Sequence, residues 1–190
     1  LYIISLYIYN VFNGGNLMIV TGIVIFVLLF LDQLTKYLAD INIAANKTVN
    51  VIPNVLSVTK IYNTGAGWGM FSNATWMLVV ISALASIVLG YYCYKCDWKN
   101  KKLYSIGITL AFSGCVGNLF DRFISVVYPI GRSGVVDMII LEPLNNLWKL
   151  IFKSSFPIFN MADMYLVVGL IIFAIYLLFF TGKDAKNGTV

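Results

Sequence analysis

The sequence predicts an all-α integral membrane protein: four transmembrane helices with a small extracytoplasmic β element and a short interfacial helix. Composition is the first reason, since 60% of the 190 residues are hydrophobic and 11% are charged, whereas soluble domains carry about 25% charged residues. The second reason is a set of apolar stretches of roughly 20 residues. At about 1.5 Å per residue, such stretches cross a hydrocarbon core of about 30 Å as helices.

The predicted spans cover residues 19–38, 76–94, 103–123 and 161–180. They define a single membrane domain over residues 18–182 and a cytoplasmic tail over 183–190. Residues 1–17 carry no charge, so they lack the basic start of a signal peptide. They also stop short of a span. Our hypothesis is that they are a non-native or disordered leader, with translation starting at Met18, which N-terminal sequencing of the native protein would decide.

Two segments outside the spans have patterns of their own. Residues 49–62 are rich in β-branched side chains and are interrupted by Pro53 and Asn54. This pattern predicts a hairpin outside the hydrocarbon core. Residues 144–153 place apolar side chains on one side of a helix, which favours a helix lying in the membrane interface. Those side chains are Leu144, Leu147, Trp148 and Ile151.

The orientation follows from the link between the second and third spans. Four lysines fall within eight residues there, at positions 95, 99, 101 and 102. Short loops dense in lysine stay on the cytoplasmic side. With four spans, both termini are then expected in the cytoplasm, and the ends of the first and third spans on the extracytoplasmic side.

Composition also excludes several chemistries. The chain has no histidine, which removes Ser-His and Cys-His catalysis and the commonest zinc ligand. Cys93 and Cys96 form a Cys-x-x-Cys pair without a second pair to complete a zinc site, and Cys115 stands alone. We interpret all three cysteines as structural. The residues above therefore predict no metal site, and we expect no cofactor. The net charge of +5 comes from lysines around the spans rather than from a basic stripe, so we expect no nucleic-acid partner.

Up-and-down spans bring the end of span one, the end of span three and the start of span four to one face. Half of the eight acidic residues gather there: Asp32, Asp121, Asp137 and Asp163. Lys36, Asn118, Arg122 and Asn160 accompany them. Ionisable groups at membrane depth are costly and therefore indicate function. For Asp163 a helix cap remains open, since Asn160 and Asp163 have capping-box spacing. Asp32 either pairs with Lys36 at headgroup level or faces a cavity.

Two carboxyl groups close together in a low-dielectric site share one proton, which is the chemistry of aspartic proteolysis. Asp137 and Asp163 are the predicted pair, because both stand in apolar surroundings without an adjacent base. We interpret Asp121 instead as a scaffold acid in a salt bridge, since Arg122 is next to it. Two alternatives predict no catalysis: a small proton-coupled transporter with intramembrane aspartates, and an assembly factor whose acids are caps and ion pairs.

Five motifs occur in an order that resembles the bacterial lipoprotein signal peptidases (signal peptidase II). They are residues 32–36 (DQLTK), 63–66 (NTGA) followed by Phe71, 117–122 (GNLFDR), 135–137 (VVD) and 156–163 (FPIFNMAD). The resemblance implies an aspartic endopeptidase of the bacterial cytoplasmic membrane. It would remove the signal peptide of a diacylglyceryl-modified prolipoprotein just before the lipidated cysteine, near the extracytoplasmic face.

The resemblance also implies roles for individual residues. Asp137 and Asp163 correspond to the catalytic pair, and Asp32 and Lys36 to structural polar residues. The residues that position peptide and dyad would be Asn63, Asn118, Arg122 and Asn160. Membrane lipids and the cyclic peptide inhibitor globomycin are expected partners. The sequence departs from the usual pattern of this family in two places. The link over 123–134 is longer than the family's usual link, so the sequence does not define the path to Asp137. The segment 65–69 reads GAGWG where an Ala-Ala-Phe-Gly type is commoner.

Overall fold

The computed structural model describes residues 2–44, 47–65, 75–128 and 134–181, with side chains from residue 18 onward. Its elements in chain order are α1 (Tyr2–Asn42), β1 (Thr48–Ile52), β2 (Leu56–Asn63), α2 (Thr75–Tyr94), α3 (Lys102–Val127), β3 (Val135–Leu141), α4 (Glu142–Phe152) and α5 (Met161–Phe179). Four helices within these residues are long and apolar enough to cross a membrane: Met18–Asn42 of α1, and α2, α3 and α5. The predicted fold class is therefore confirmed.

The predicted leader and tail have different positions relative to the described residues. Helix α1 begins at Tyr2, so residues 2–17 are continuous with the first span. Whether they are a native part of the chain stays a prediction. The predicted tail over 183–190 lies outside the described residues.

Helix α3 is the centre of the bundle. In the most apolar 18-residue stretch of each span, 61% of the α3 residues are buried, against 11% for α1 and α2 and 22% for α5. Small residues allow helices to approach closely in lipid, and Gly114 shows how closely here. A Cβ at Gly114 would lie 2.2 Å from the carbonyl oxygen of Ala162. This contact holds the first turn of α5 directly against α3.

The β element is a three-stranded antiparallel sheet in the order β1-β2-β3. Its hairpin, β1 and β2, agrees with the prediction over 49–62. The third strand, β3, was not predicted, because buried strands form continuous apolar runs without the alternation that identifies exposed strands. Its pairing aligns Asn63 with Val135 and Ile61 with Asp137. The sheet thus places Asp137 beside the end of β2.

The start of β3 also shows where the long link ends. Gly134 has a φ of +115°, and a Cβ there would lie 2.3 Å from the carbonyl oxygen of Asn63. Only glycine fits this backbone conformation and this close approach. Residues 129–133 of the link, like residues 66–69 of the glycine-rich segment, lie outside the described residues.

Helix α4 agrees with the predicted interfacial helix. Leu147, Leu150 and Ile151 are all more than half exposed, as expected for side chains that meet lipid at the interface. Trp148, which was predicted on the same face, packs edge-on against the ring of Phe156, with centroids 5.3 Å apart. Helix α4 therefore lies next to the segment that leads into α5.

Candidate active site

The backbone between α4 and α5 determines where the acidic residues meet. The amide of Ile139 donates to the carbonyl oxygen of Phe159 at 2.8 Å, and the amide of Phe159 returns a bond to Ile139 at 3.2 Å. This pairing extends the edge of the sheet by one isolated bridge. Asn160 follows immediately, so β3 and the start of α5 lie side by side. Asp137 on β3 and Asp163 on α5 consequently line the same cavity.

Asp163 belongs to a capping box, as its spacing from Asn160 suggested. The amide of Asp163 donates to Oδ1 of Asn160 at 3.0 Å, and the amide of Asn160 donates to Oδ2 of Asp163 at 3.1 Å. Only one carboxylate oxygen of Asp163 is used by the cap. The other, Oδ1, accepts a bond from Asn118, and the residue lines the cavity. The two interpretations of Asp163, cap and active-site acid, are therefore compatible.

Asp137 is 1% exposed and lies outside the membrane-spanning helices. Its Oδ1 accepts from Nδ2 of Asn160 at 2.6 Å, and its Oδ2 accepts from Nδ2 of Asn63 at 2.9 Å. Burial and the nearby negative charge of Asp163 together raise the pKa of Asp137 to about 7, although the bonds from Asn63 and Asn160 oppose the shift. Around neutral pH this carboxyl group therefore exchanges a proton.

Two buried amides connect the aspartates. Nδ2 of Asn118 donates to Oδ1 of Asp163 at 2.7 Å. Oδ1 of Asn118 accepts from Nδ2 of Asn160 at 3.1 Å and from the ammonium of Lys36, also at 3.1 Å. Two donors on this oxygen require that the nitrogen of Asn118 faces Asp163, since an amide has one acceptor atom. The orientation of Asn118 is thus determined by its neighbours.

Lys36 is the centre of a buried ion cluster. Its ammonium lies 2.8 Å from Oδ2 of Asp32 and 2.7 Å from Oδ2 of Asp121. Asp32 also accepts from the amide of Ala162 at 2.9 Å, which joins α1 to the first turn of α5. Asp32 and Lys36 therefore form an ion pair, and it is buried within the bundle.

Arg122 is not the ion-pair partner of Asp121, although the two are adjacent in sequence. That partner is Lys36. The guanidinium of Arg122 instead donates to Oγ of Ser82 on α2 at 3.1 Å and lines the cavity. On a helix, neighbouring side chains point about 100° apart, so adjacent residues do not face each other.

The cavity has a volume of about 380 Å³. Its polar wall contains Asn63, Arg122, Asp137 and Asp163. Its apolar wall includes Phe156, Met164, Val167 and Val168. The last three are on α5 and more than a third exposed. The cavity is therefore polar at its base and open along its apolar wall.

Some features of the site have no signal in the sequence pattern. Ser82 stands in an uncharged span, and nothing local indicates that it accepts from Arg122. The amide of Gly65 donates to Oδ1 of Asn63 at 3.0 Å, which orients Nδ2 of Asn63 toward Asp137.

Within the described ranges, no three His, Cys, Asp or Glu side chains are grouped so that they could hold a metal ion.

The chain resembles known proteins over most of its length. The family model described as signal peptidase (SPase) II matches residues 23–179. The chain is 36% identical over 176 residues to the lipoprotein signal peptidase of Enterococcus faecalis, covering 92% of this chain and 98% of that protein. It is 34% identical over 176 residues to the lipoprotein signal peptidase of Staphylococcus aureus, covering 93% of each.

Two solved structures share the fold. Both are described as bacterial membrane enzymes. The first superposes with a TM-score of 0.68 at 31% identity, covering 88% of this chain and 90% of that one. The second has a TM-score of 0.67 at 30% identity, covering 85% of this chain and 94% of the other.

Proposed function

This chain belongs to the signal peptidase II family, and from that premise we propose that Asp137 and Asp163 are the catalytic pair with which it removes the signal peptides of prolipoproteins. The observation that carries the proposal is their placement in one cavity, joined through the amides of Asn118 and Asn160. Nothing in the fold or in the relatives supports the transporter alternative.

The proposed mechanism uses one proton shared by the two carboxyl groups. The ionised carboxylate takes a proton from a water molecule as that water attacks the scissile carbonyl carbon. The protonated carboxyl group donates to the carbonyl oxygen, and the proton taken from water passes to the leaving nitrogen. A pKa of about 7 for Asp137 suits this exchange at neutral pH. The pair needs neither histidine nor an activated serine.

The substrate we propose is a diacylglyceryl-modified prolipoprotein, cut just before its lipidated cysteine. The polar base of the cavity suits an extended peptide, because Asn63 and Arg122 can bond its backbone next to the aspartates. The apolar wall formed by Met164, Val167 and Val168 suits a lipidated residue that arrives from the bilayer. A globomycin-type cyclic peptide is expected to compete for the same cavity.

The remaining polar residues divide into two proposed groups. Asn63, Asn118 and Asn160 position the aspartates through the bonds described above, and Arg122 positions the peptide. Asp32, Lys36 and Asp121 are structural, since their buried cluster joins α1, α3 and the start of α5.

The proposed localisation is the bacterial cytoplasmic membrane, with both termini in the cytoplasm and the cavity near the extracytoplasmic face. It is supported by the lysine-rich link between α2 and α3, which the positive-inside rule assigns to the cytoplasm. The sheet precedes α2 and follows α3, so it lies at the opposite ends of these helices from that link.

The test is cleavage of a diacylated prolipoprotein in detergent by the wild type, Asp137→Asn and Asp163→Asn. Asp97→Asn makes the same chemical change in the link between α2 and α3, where Asp97 bonds only to its own loop. Both cavity variants are expected to fold and to lose activity by at least about a thousandfold, whereas Asp97→Asn retains it. A folded Asp137→Asn or Asp163→Asn variant that still cleaves would contradict the assignment of the pair.

A further inference from the structure

Cys93 and Cys96 lie at the end of α2, remote from the aspartates. Both are free thiols. The amide of Cys96 donates to the carbonyl oxygen of Cys93 at 3.1 Å, so the two residues open and close a single backbone turn. Such turns bring their first and fourth Cα atoms within about 7 Å, and disulfides span roughly 4.4–6.8 Å between Cα atoms. The Cα separations typical of such a turn therefore overlap the range that an intramolecular disulfide spans.

Three buried hydroxyl groups surround the sulfur of Cys96. Oγ1 of Thr109 lies 3.7 Å from it, and Ser105 and Thr21 are close enough to donate to its ionised form. Thr109 and Ser105 are fully buried. Oγ of Ser105 makes no hydrogen bond to any side chain or backbone group in the described residues while Cys96 is protonated. Buried hydroxyls in an apolar bundle are costly without a partner, and a thiolate at Cys96 would supply one.

Thr21 contributes the third hydroxyl near the sulfur of Cys96. Its oxygen accepts from the indole nitrogen of Trp98 at 2.8 Å, and this hydroxyl is one of those that lower the pKa of Cys96. Thr21 is on α1, Cys93 on α2, and Ser105 and Thr109 on α3. Cys96, which lies outside the spans and is partly exposed, thus meets donors from three helices.

These contacts affect the acidity of Cys96. A bond from the Cys93 thiol, together with the hydroxyls of Thr109, Ser105 and Thr21, lowers the pKa of Cys96 to about 7 against the opposing effect of burial. At neutral pH the thiolate fraction of Cys96 therefore exceeds the few per cent of an ordinary cysteine of pKa about 8.5. The thiolate is the nucleophilic form.

We propose that Cys93 and Cys96 are a hydroperoxide-reactive dithiol, in which Cys96 attacks and Cys93 resolves. The Cys96 thiolate attacks the outer oxygen of a hydroperoxide, the O–O bond breaks, and an alcohol or water leaves with the released proton. The resulting sulfenic acid is attacked by the Cys93 sulfur. The S–S bond forms, the S–OH bond breaks, and hydroxide leaves as water with the Cys93 proton. The sulfurs lose two electrons and the peroxide gains them.

This site goes beyond the peptidase activity and is independent of it. The sulfur of Cys93 lies 3.7 Å from the carbonyl oxygen of Ile108, and that of Cys96 lies 3.9 Å from the carbonyl oxygen of Ser105. The single proton of Cys93 is donated either to Ile108 or to Cys96, and oxidation to the disulfide removes the thiol bonds to both carbonyl groups. On the cytoplasmic side, thiols are normally kept reduced, so the disulfide would be transient and reversed by a dithiol reductant. The structural interpretation of these two cysteines is replaced by a redox one.

The test treats the purified full-length protein in detergent with hydrogen peroxide at pH 7, blocks remaining thiols with an alkylating agent, and measures intact and peptide masses. The expected result is loss of two hydrogen atoms from the peptide that carries both cysteines, restored by dithiothreitol. Cys96 should react roughly tenfold faster than Cys115, because Cys96 is partly exposed and next to a resolving thiol whereas Cys115 is buried in α3. Equal rates at the two sites, or a disulfide only between molecules, would overturn the proposal.

Matched variants separate the two roles. Cys93→Ser should accumulate sulfenic acid at Cys96, detected with dimedone, and form no internal disulfide. Thr109→Val and Ser105→Ala should slow the reaction severalfold, while Cys115→Ser leaves its rate unchanged. Signal-peptide cleavage by each reduced variant verifies that it is folded. A folded Cys93→Ser variant that forms no sulfenic acid at Cys96 would show that Cys96 is not the attacking thiol.

Discussion

Nδ2 of Asn160 lies 2.6 Å from Oδ1 of Asp137, while the oxygen of the same amide caps the helix that carries Asp163. One side chain therefore determines the relative positions of the two carboxyl groups. It does so through opposite ends of a planar amide, so neither bond can change without the other. This coupling leads to the first of four predictions.

Asn160→Ser should separate helix capping from catalysis. Serine is a good N-cap residue, so the contribution of the cap to the free energy of unfolding should change by less than about 1 kcal/mol. Serine has no second polar group to reach Asp137, so cleavage should fall by roughly a hundredfold or more. Asn160→Ala removes both bonds and should lower stability as well. Thermal unfolding in detergent and kcat/KM measure the two effects. An Asn160→Ser variant of wild-type activity would show that the bond to Asp137 is dispensable.

The pH dependence of cleavage should change when Asn63 is replaced. The bond from Asn63 favours the charged form of Asp137 and so lowers a pKa that burial has raised to about 7. In Asn63→Leu this opposing bond is lost, the pKa of Asp137 rises, and the proton is retained to higher pH. The alkaline limb of the pH–rate profile should then move upward by up to about one unit.

The same shift has a consequence for stability. The folded-state pKa of Asp137 lies above its unfolded value of 3.8, so its stabilising contribution is fully present below pH of about 4. It is lost as pH rises through about 7. Asp97→Asn serves as the control for both measurements, since Asp97 lies outside the cavity. A downward displacement of the limb in Asn63→Leu would contradict the assigned effect of Asn63.

Lys36→Met should destabilise the bundle severely. It leaves the buried carboxylates of Asp32 and Asp121 close together without their cation, a change that costs about 3–5 kcal/mol for buried ion pairs. The second substitution Asp32→Asn should recover part of that loss, because it removes one of the two uncompensated charges. Unfolding of the single and double variants by heat or denaturant measures both. Lys60→Met, which breaks the more exposed pair with Asp40, should cost much less.

Gly114→Ala should damage activity and stability together. The added Cβ would lie 2.2 Å from the carbonyl oxygen of Ala162, so the first turn of α5 must move away from α3. Overpacking of this kind costs about 1–3 kcal/mol, and the displacement carries Asp163 with it. Gly22→Ala is the matched control, because a Cβ there meets nothing within 4 Å. Equal behaviour of the two variants would mean that α3 and α5 can separate without consequence for the cavity.

Much of this arrangement follows from patterns in the sequence. Hydropathy over about 20 residues predicted the bounds of α2, α3 and α5, and the end of α1, to within about four residues, because insertion into lipid depends on the summed transfer free energy of a contiguous segment. The hairpin followed from β-branched residues around Pro53 and Asn54. The acidic residues of the cavity followed from their cost at membrane depth, a property of residue type and depth alone.

The ion-pair partners of those acidic residues could not be predicted from the sequence. Sequence proximity assigned Asp121 to Arg122, whereas the structure pairs Asp121 with Lys36 of another helix. The third strand was missed because its partner, β2, is separated from it by two membrane spans.

The sequence by itself determined that this is a four-span membrane protein and which aspartates are candidates for chemistry, because both depend on local composition and on transfer of single residues into lipid. Only the tertiary structure decided which amide meets which carboxyl group. Contacts such as Asn118 with Asp163 depend on how closely α3 and α5 pack. The distance between α3 and α5 is short because positions such as Gly114 have no side chain. A hydrogen bond then requires its donor and acceptor atoms to be placed to within a few tenths of an ångström.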